Sequence, residues 1–222
     1  AVIALGNFDG FHLGHQAVAG EAIRQAKAAG KPAIIATFDP HPVRFFAPHV
    51  PWFRLTTLEQ RQRLFAEAGA DAMLVFDFDA ELAATTAEDF VVKLLAERLG
   101  ISGVVTGEDF TFGKARGGNT GVLRDLGAAH GIIASTVGPV VDEGGIISSS
   151  RIRDALKAGD CDTATRLLTR PFAVEAIVQH GDKNGRDLGF PTANMDMGHY
   201  RRPRYGVYAV RVRMDAQWQD GV

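Results

Sequence analysis

The sequence predicts an α/β protein in which a parallel sheet carries helices on both faces and a smaller antiparallel β domain follows. Two observations predict the sheet: over residues 1–170, short apolar runs typical of buried strands alternate with helical patterns, and the links between them are short. A third observation predicts the β domain: residues 206–214, and part of residues 172–178, alternate between apolar and polar side chains. Pro171 lies between the part in which strands alternate with helices and the part in which apolar and polar side chains alternate. We therefore expect domains over residues 1–170 and 171–222.

The composition is that of an ordinary globular protein, with 46% hydrophobic and 23% charged residues among 222. Lys and Arg number 24 against 26 Asp and Glu, so there is no basic excess and we expect no nucleic-acid partner. A single cysteine excludes an internal disulfide and is compatible with a reducing compartment. No apolar run is long enough for a membrane span and no signal peptide is visible, so we expect a cytoplasmic protein without a membrane partner.

Both ends of the chain predict a longer polypeptide. The chain begins without methionine, directly in a predicted strand. It ends at Val222, soon after another strand-like run.

The first strand, residues 1–5, leads into a turn rich in glycine at residues 6–15 and then into a helix over residues 16–29. The start of a helix offers unpaired backbone N–H groups and the positive end of a dipole, which suits a chain of phosphates. We expect Gly10 and Gly14 to let the backbone approach such a ligand closely. The turn therefore predicts a polyphosphate site.

Two histidines, His12 and His15, lie near this helix start and can point to the side of its N–H groups. There they would hold and neutralise a polyphosphate whose charge grows as a bond to phosphorus breaks. The spacing alone leaves two alternatives: half of a metal site completed by Asp9 or His41, or polar residues without a ligand. The surrounding glycines favour the phosphate.

Further strands are predicted over residues 33–38, 72–76, 102–106 and 132–137. Capping boxes at residues 56–59 and 85–88 predict the starts of two of the intervening helices. After the second strand, Pro40 and Pro42 are expected to force an extended loop and to block a helix.

Two loops beyond strand ends carry aromatic and charged side chains, and open α/β sheets bind their ligands at such ends. The first loop places Arg44, Phe45 and Phe46 after the second strand. The second, residues 107–118, combines four glycines with two phenylalanines and two cations. We expect both loops to line a ligand crevice. The alternative is that their phenylalanines only anchor them to the core.

A second anion site is predicted at residues 146–153, where three serines precede a helix. A helix N-cap explains one serine, but not three followed by Arg151 and Arg153. Hydroxyls, backbone N–H groups and a guanidinium at a helix start bind anions. Two such sites suit the two ends of a triphosphate.

These segments resemble, in order, the motifs of the bacterial FAD synthetases, which are bifunctional riboflavin kinase/FMN adenylyltransferases. Residues 6–15 read G-x-F-D-G-x-H-x-G-H, which contains the H-x-G-H of nucleotidyltransferases, and residues 107–113 read G-x-[DN]-F-x-F-G. Residues 147–153 resemble I-S-S-T-x-I-R, with Ser150 in place of threonine. Residues 185–194 are similar to the G-R-x-L-G-F-P-T-A-N motif of riboflavin kinases.

The resemblance implies a Rossmann-like nucleotidyltransferase domain followed by a partial antiparallel β-barrel of riboflavin kinase type. It implies transfer of AMP from ATP to FMN, giving FAD and pyrophosphate, with Mg²⁺ bridging the phosphates. The barrel would belong to a kinase that makes FMN and ADP from riboflavin and ATP. The expected partners are therefore small molecules: ATP, FMN, FAD and riboflavin.

The motifs and their placement also assign residues. The catalytic residues are expected to be His12, His15 and Arg153. The residues expected to bind ATP phosphates are Gly6, Phe8, Asp9, Gly10, Gly14, Ser149 and Ser150. The residues expected at the flavin or nucleotide are Asp109, Phe112 and Phe46, those expected at Mg²⁺ in the kinase module are Thr192 and Asn194, and Arg151 is expected to face solvent.

In this family the carboxylate that activates riboflavin lies later than Val222, so we expect no phosphorylation of riboflavin by this chain. Two other functions are open. One is another H-x-G-H nucleotidyltransferase, against which the kinase motif argues. The other is a non-catalytic flavin- or nucleotide-binding module, against which the intact His12, His15 and Arg153 argue.

Overall fold

A computed structural model describes residues 1–180, 192–214 and 217–222, and it contains the strands and helices predicted for the first 170 residues. In chain order the elements up to residue 168 are β1 (Val2–Leu5), α1 (Leu13–Ala28), β2 (Ala33–Asp39), α2 (Pro42–Phe46), α3 (Leu58–Glu67), β3 (Ala72–Asp77), α4 (Ala80–Ala84), α5 (Ala87–Asp89) continued by a π-helical segment (Phe90–Arg98), β4 (Gly103–Gly107), β5 (Thr111–Phe112), a 3₁₀ turn (Lys114–Arg116), β6 (Gly118–Asn119), α6 (Thr120–Ala129), β7 (Ile133–Val137), β8 (Val141–Asp142), β9 (Gly145–Ile146), α7 (Ser149–Ala158) and α8 (Cys161–Leu168).

Five parallel strands form the central sheet in the order β3-β2-β1-β4-β7. From β1 the chain moves outward through β2 to β3, then crosses back to β4 and β7 on the other side of β1. The direction of winding therefore reverses between β1 and β4, and ligands of open α/β sheets bind outside the carboxyl ends at such a point. Residues 6–15 follow β1 and residues 107–118 follow β4, so the two motifs meet there.

Helices cover both faces of the sheet, as predicted. Ile3 and Leu5 of β1 pack into one cluster with the π-helical segment and α6. Val2 and Ala4, which alternate with them, pack on the opposite face against α1 and α3. A third cluster joins α7 and α8 to Leu55, beside the carboxyl ends of the strands.

Three local predictions were wrong. α3 is capped by Thr57, which exchanges hydrogen bonds with Gln60, because the preceding threonine is bound elsewhere through its N–H and hydroxyl. α5 is likewise capped by the second threonine of its pair, Thr86, and shows no reciprocal capping box. Pro42 does not exclude a helix but begins α2, because proline fits the first helical position, where its missing N–H has no helical partner.

Beyond Pro171 the described residues form two short antiparallel pairs, β10 (Val178–Gln179) with β11 (Asn194–Met195) and β12 (Val210–Met214) with β13 (Gln217–Gly221). The antiparallel pairing is confirmed, but the strand predicted over residues 172–178 was wrong except for its last residue, and the one predicted over residues 206–214 begins only at Val210. Phe172 packs against the cluster of α7 and α8, so this segment follows the helices instead of a sheet. The turn predicted at residues 182–185 lies outside the described residues. Within the described parts of the chain, no helix is long and apolar enough to cross a membrane.

Candidate active site

A crevice of about 1510 Å³ lies outside the carboxyl ends of β1 and β4. Pockets for one small ligand typically measure about 300–1,000 Å³, so this crevice has room for two substrates. Its walls bring together every site residue predicted in the first 170 residues except Gly10: Gly6, Phe8, Asp9, His12, Gly14, His15, Phe46, Asp109, Phe112, Ser149, Ser150 and Arg153.

The two motif histidines form a stacked pair at the start of α1. His12 is the N-cap residue, and its Nδ1 accepts the His15 N–H at 3.4 Å. Because Nδ1 acts as an acceptor, we assign the proton of the neutral ring to Nε2. The rings stack with centroids 3.7 Å apart. The His15 Nδ1 atom is buried and has no hydrogen-bond partner among the described residues.

Both histidines are neutral at pH 7. Burial, reinforced by the positive charge of Arg153, lowers the pKa of His12 to about 4. Burial and the neighbouring His12 lower the pKa of His15 well below its usual value. In the unliganded protein these rings are therefore hydrogen-bonding groups without charge, and their role at a polyphosphate stays a prediction.

The Asp9 carboxylate accepts several hydrogen bonds from other residues. It accepts the N–H groups of Leu55 at 2.9 Å and Thr56 at 3.0 Å, together with a hydrogen bond from Arg153 at 2.6 Å. The residue is only 3% exposed. A carboxylate held in this way would repel a phosphate. The carboxylate fixes Arg153 and the chain near residue 55, and the phosphate contact of Asp9 stays a prediction.

Arg153 reaches the crevice from the second turn of α7. Its Nη2 donates to Asp9, its Nε donates to the Phe53 carbonyl at 2.8 Å, and its guanidinium lies 4.8 Å from the centre of the Phe53 ring. The Nη1 group makes no hydrogen bond with another described residue. The protein therefore engages Nε and Nη2 of the guanidinium, and Nη1 is available to donate to an anion.

The three serines divide their roles. Ser148 is the N-cap of α7, a role the sequence analysis did not assign to it. Ser149 donates its hydroxyl to the Asp9 carbonyl at 2.8 Å, so it ties α7 to the motif. Ser150 is exposed on the first turn of α7 and lines the crevice, where its hydroxyl and the helix N–H groups can bind an anion.

Arg151 does not face solvent, contrary to expectation. Its guanidinium pairs with the Asp142 carboxylate and donates to the Gly145 carbonyl at 3.1 Å. Arg166 pairs with the same carboxylate. These hydrogen bonds, from Arg151 first, lower the pKa of Asp142 to about 2.

Two of the motif glycines, Gly10 and Gly14, are packed tightly against other residues of the protein. Gly10 has a φ of +89°, and a Cβ there would lie 2.8 Å from the Leu55 side chain. A Cβ on Gly14 would lie 3.2 Å from the His12 ring. Both positions are tight against protein atoms, and the role of these glycines in close ligand approach stays a prediction. Gly6 lies beside the Phe8 ring, 3.4 Å from where its Cβ would be.

The predicted aromatic residues differ in exposure. Phe8 and Phe112 are 1% and 7% exposed and belong to the two clusters that flank the sheet. Phe46, by contrast, is 67% exposed, and its ring lies edge-on to Phe45 and Phe78 at the crevice wall. Asp109 is exposed at the same crevice. Phe46 therefore offers a free aromatic face, whereas most of the Phe112 ring is covered.

Arg61 lines a neighbouring pocket together with Asp9 and His41, and sequence reasoning missed it. This arginine of α3 is 3% exposed, and its guanidinium donates to the Asn7 carbonyl at 3.2 Å and to Thr37 at 2.8 Å. Burial lowers its pKa. A signal was present in the sequence: Arg61 lies one helical turn before the buried Phe65, on the same face of the helix.

The predicted magnesium residues, Thr192 and Asn194, lie apart from this crevice, since neither is among its lining residues. Both are exposed, and Asn194 is part of β11. As for the alternative metal site, no three His, Cys, Asp or Glu side chains are grouped to hold a metal ion anywhere in residues 1–180, 192–214 and 217–222.

Acidification is expected to destabilise the protein between pH 6.5 and 4. His41 caps α2 by accepting the Val43 N–H on Nδ1, and burial lowers its pKa to about 4, as it does for His12. The folded state thus binds fewer protons than the unfolded chain, so stability is complete above pH 6.5 and falls toward pH 4. In His41→Asn, the loss of unfolding free energy on acidification should be smaller by on the order of 2–3 kcal/mol. Urea unfolding at pH 7, 5.5 and 4.5 measures the free energy of unfolding of the wild type and the variant. If both lost the same amount of stability between pH 7 and pH 4.5, the assignment to His41 would be wrong.

Comparisons with known proteins agree with the motifs. A family model described as FAD synthetase matches residues 1–151, and one described as riboflavin kinase matches residues 168–222. A bifunctional riboflavin kinase/FMN adenylyltransferase of Pseudomonas fluorescens is 38% identical over 221 residues, which cover 100% of this chain and 71% of that protein. Proteins of the same description from Escherichia coli K12 and Bacillus subtilis are 37% and 36% identical, with 95% and 100% of this chain and 67% and 70% of theirs covered.

A solved structure supports the fold. The chain superposes on a protein from Streptococcus pneumoniae, described as a macrolide-efflux protein, with a TM-score of 0.88 and 31% sequence identity. The match covers 99% of this chain and 72% of that one.

Proposed function

The chain belongs to the FAD synthetase family, and from this premise we propose that its crevice transfers AMP from ATP to FMN, giving FAD and pyrophosphate. The observation that carries the proposal is the meeting of two helix starts in one crevice. One is the start of α1 with its two histidines, and the other is the start of α7 with Ser150 and Arg153. Together they suit a polyphosphate bound at both ends.

In the proposed reaction, a phosphate oxygen of FMN bonds to the α-phosphorus of ATP. The bond from that phosphorus to the oxygen bridging it to the β-phosphate breaks, and pyrophosphate leaves with the electron pair. No covalent bond to the protein forms. Catalysis of this kind depends on holding the reactants in line and on stabilising negative charge that develops in the transition state.

Each crevice residue has a proposed part in this step. The neutral His12 donates its Nε2–H to the α-phosphate region, and His15 lies beside it. Ser150, the first N–H groups of α7 and the Nη1 of Arg153 bind the outer phosphates.

The flavin is proposed to lie at the other end of the crevice. Phe46 presents an exposed ring for stacking, with Phe45 and Phe78 behind it. Asp109 lies on the loop after β4 and would orient the nucleotide or the flavin through hydrogen bonds. Phe112 packs behind this loop, where its ring supports the wall.

A second proposed function is that of a riboflavin kinase module, whose activity is expected where the module is complete, and it rests on the match of residues 168–222 to the riboflavin kinase model. Thr192 and Asn194 carry the oxygen ligands that Mg²⁺ prefers, and both are exposed, Asn194 in β11 and Thr192 two residues before it. When bound with ATP, Mg²⁺ would neutralise phosphate charge in both activities. We place both reactions in the cytoplasm and assign no nucleic-acid partner.

FAD is expected to form when the chain is supplied with ATP, Mg²⁺ and FMN, because the crevice holds groups for both substrates. Chromatographic separation of flavins, with an EDTA-treated reaction as control, measures it. The same assay with riboflavin decides between kinase activity and the sequence-based expectation of none. If ATP and FMN both bind and no FAD appears, the chain is a non-catalytic binding module and the proposal fails.

A further inference from the structure

Residues 52–57, here called the bridge segment, link the two parts of the chain. On one side the bridge segment pairs with residues 199–201: Arg54 donates its N–H to the His199 carbonyl at 3.1 Å, and Arg201 donates its N–H to the Arg54 carbonyl at 2.8 Å. The rings of Trp52 and His199 stack with centroids 3.6 Å apart. The bridge segment is therefore held by the C-terminal part through backbone and side chains together.

Residues 199–201 are themselves firmly placed. Tyr200 is 4% exposed, its hydroxyl donates to the Gln60 side chain at 3.0 Å, and it accepts the Glu175 N–H at 3.3 Å. Gln60 is also the residue that completes the capping box of α3 with Thr57. The contact thus extends from the C-terminal part to the end of the bridge segment and the start of α3.

On its other side the bridge segment holds the phosphate-binding arginine. The N–H groups of Leu55 and Thr56 donate to the Asp9 carboxylate, and that carboxylate accepts from Arg153. The carbonyl of Phe53 accepts the Arg153 Nε directly. Two sides of one short segment are therefore occupied, one by residues 199–201 and the other by the groups that orient Arg153.

We propose that residues 199–201 are a positioning element for adenylyl transfer: by fixing the bridge segment, they set the orientation of Arg153 toward the crevice. The proposal rests on the proposed function of that crevice. Residues 199–201 are not among the residues that line the crevice, although His199 lines the neighbouring pocket that shares Asp9 and His41 with it. The proposed effect on adenylyl transfer is the one carried by the bridge segment. A part of the chain that matches the riboflavin kinase model thereby contributes to catalysis in the part that matches the FAD synthetase model.

The expected effect on rate is larger than the effect on stability. One backbone hydrogen bond contributes about 1 kcal/mol net to folding. Misplacing a catalytic group by about 1 Å can lower a rate about 100-fold, because the reacting groups no longer meet in line. A substitution that loosens the bridge segment should therefore slow FAD formation in a protein that is still folded.

Arg201→Pro is the most direct test, because proline lacks the N–H that donates to the Arg54 carbonyl. Tyr200 lies in a strand-like bridge with Arg54, and an extended residue tolerates a following proline. We expect the kcat for FAD formation to fall about 10-fold or more, with a melting temperature that still leaves the protein folded at 25 °C. The KM for FMN should change less than kcat, because the flavin end of the crevice is not touched.

Two control variants separate this role from general damage. Arg202→Pro places a proline one residue later, where the N–H donates to no described residue, and it should keep the wild-type kcat. Arg201→Ala keeps the backbone donor and should restore most of the activity lost with proline. Equal kcat for wild type and Arg201→Pro, or equal losses in Arg201→Pro and Arg202→Pro, would overturn the proposal.

The positioning role can also be tested by ATP binding, which does not require FAD formation. Calorimetric titration with ATP should show weaker binding by Arg201→Pro than by Arg202→Pro, because Arg153 contacts the phosphates. If the wild type makes no FAD, the proposed function fails while this titration still tests the positioning role. If the wild type makes FAD and the two variants bind ATP equally and turn over equally, only the positioning role fails.

Discussion

Replacing His12 by asparagine is expected to lower the kcat of FAD formation about 100- to 1,000-fold and to leave the protein folded. Asparagine is a good N-cap residue, so the His15 N–H keeps an acceptor. What disappears is the Nε2–H donor beside the α-phosphate, and loss of one preorganised donor of this kind typically costs that factor. Steady-state FAD formation and thermal unfolding measure the two effects.

His130→Asn is the matched control. His130 ends α6, is exposed, and does not line the crevice, so its replacement should alter neither rate nor stability. If His12→Asn retained the wild-type kcat, or if its activity and its stability fell in proportion, the assignment of His12 to catalysis would be wrong.

Local patterns in the sequence predicted the sheet and the place of the crevice. The five buried runs became β1 to β4 and β7, because runs of this length with short links to helices have few other ways to bury their side chains. The order of the strands follows from pairing between distant residues, which no local pattern encodes. The motif at residues 6–15 could nevertheless be placed at a ligand-binding edge, because it follows a buried strand.

Long-range pairs inside the site could not be predicted in this way. Asp9 and Arg153 are 144 positions apart, and Leu55 is 46 positions from the same carboxylate. The sequence motif alone does not distinguish the role of Asp9 from that of the neighbouring residues expected to contact phosphate. Only its partners in the fold show that its negative charge is used to hold an arginine. The strand prediction at residues 172–178 was wrong for a related reason: packing of the partly buried Phe172 against the cluster of α7 and α8 overrides a strand-like pattern.

Asp9→Ala is expected to cost about 3–5 kcal/mol of unfolding free energy, because it leaves the half-buried Arg153 without its counter-ion and two buried N–H groups without an acceptor. For a chain of this size that corresponds to a loss of roughly 10 °C in melting temperature. FAD formation should fall as well, since Arg153 loses its orientation. Asp9→Asn, which keeps an acceptor but no charge, should be less destabilised. Urea unfolding at pH 7 compares the variants.

A double-mutant cycle separates the ion pair from the other contacts of Asp9. If the carboxylate mainly holds Arg153, then Asp9→Ala and Arg153→Ala together should cost less than the sum of the single changes, by about 1–3 kcal/mol, because removing both leaves no unpaired charge. The exposed pair of Arg202 and Asp196, 3.8 Å apart, is the control and should show a coupling below about 0.5 kcal/mol. Additive effects of Asp9→Ala and Arg153→Ala would mean that Asp9 acts only on the backbone near residue 55, and Arg153 would then owe its orientation to the Phe53 carbonyl.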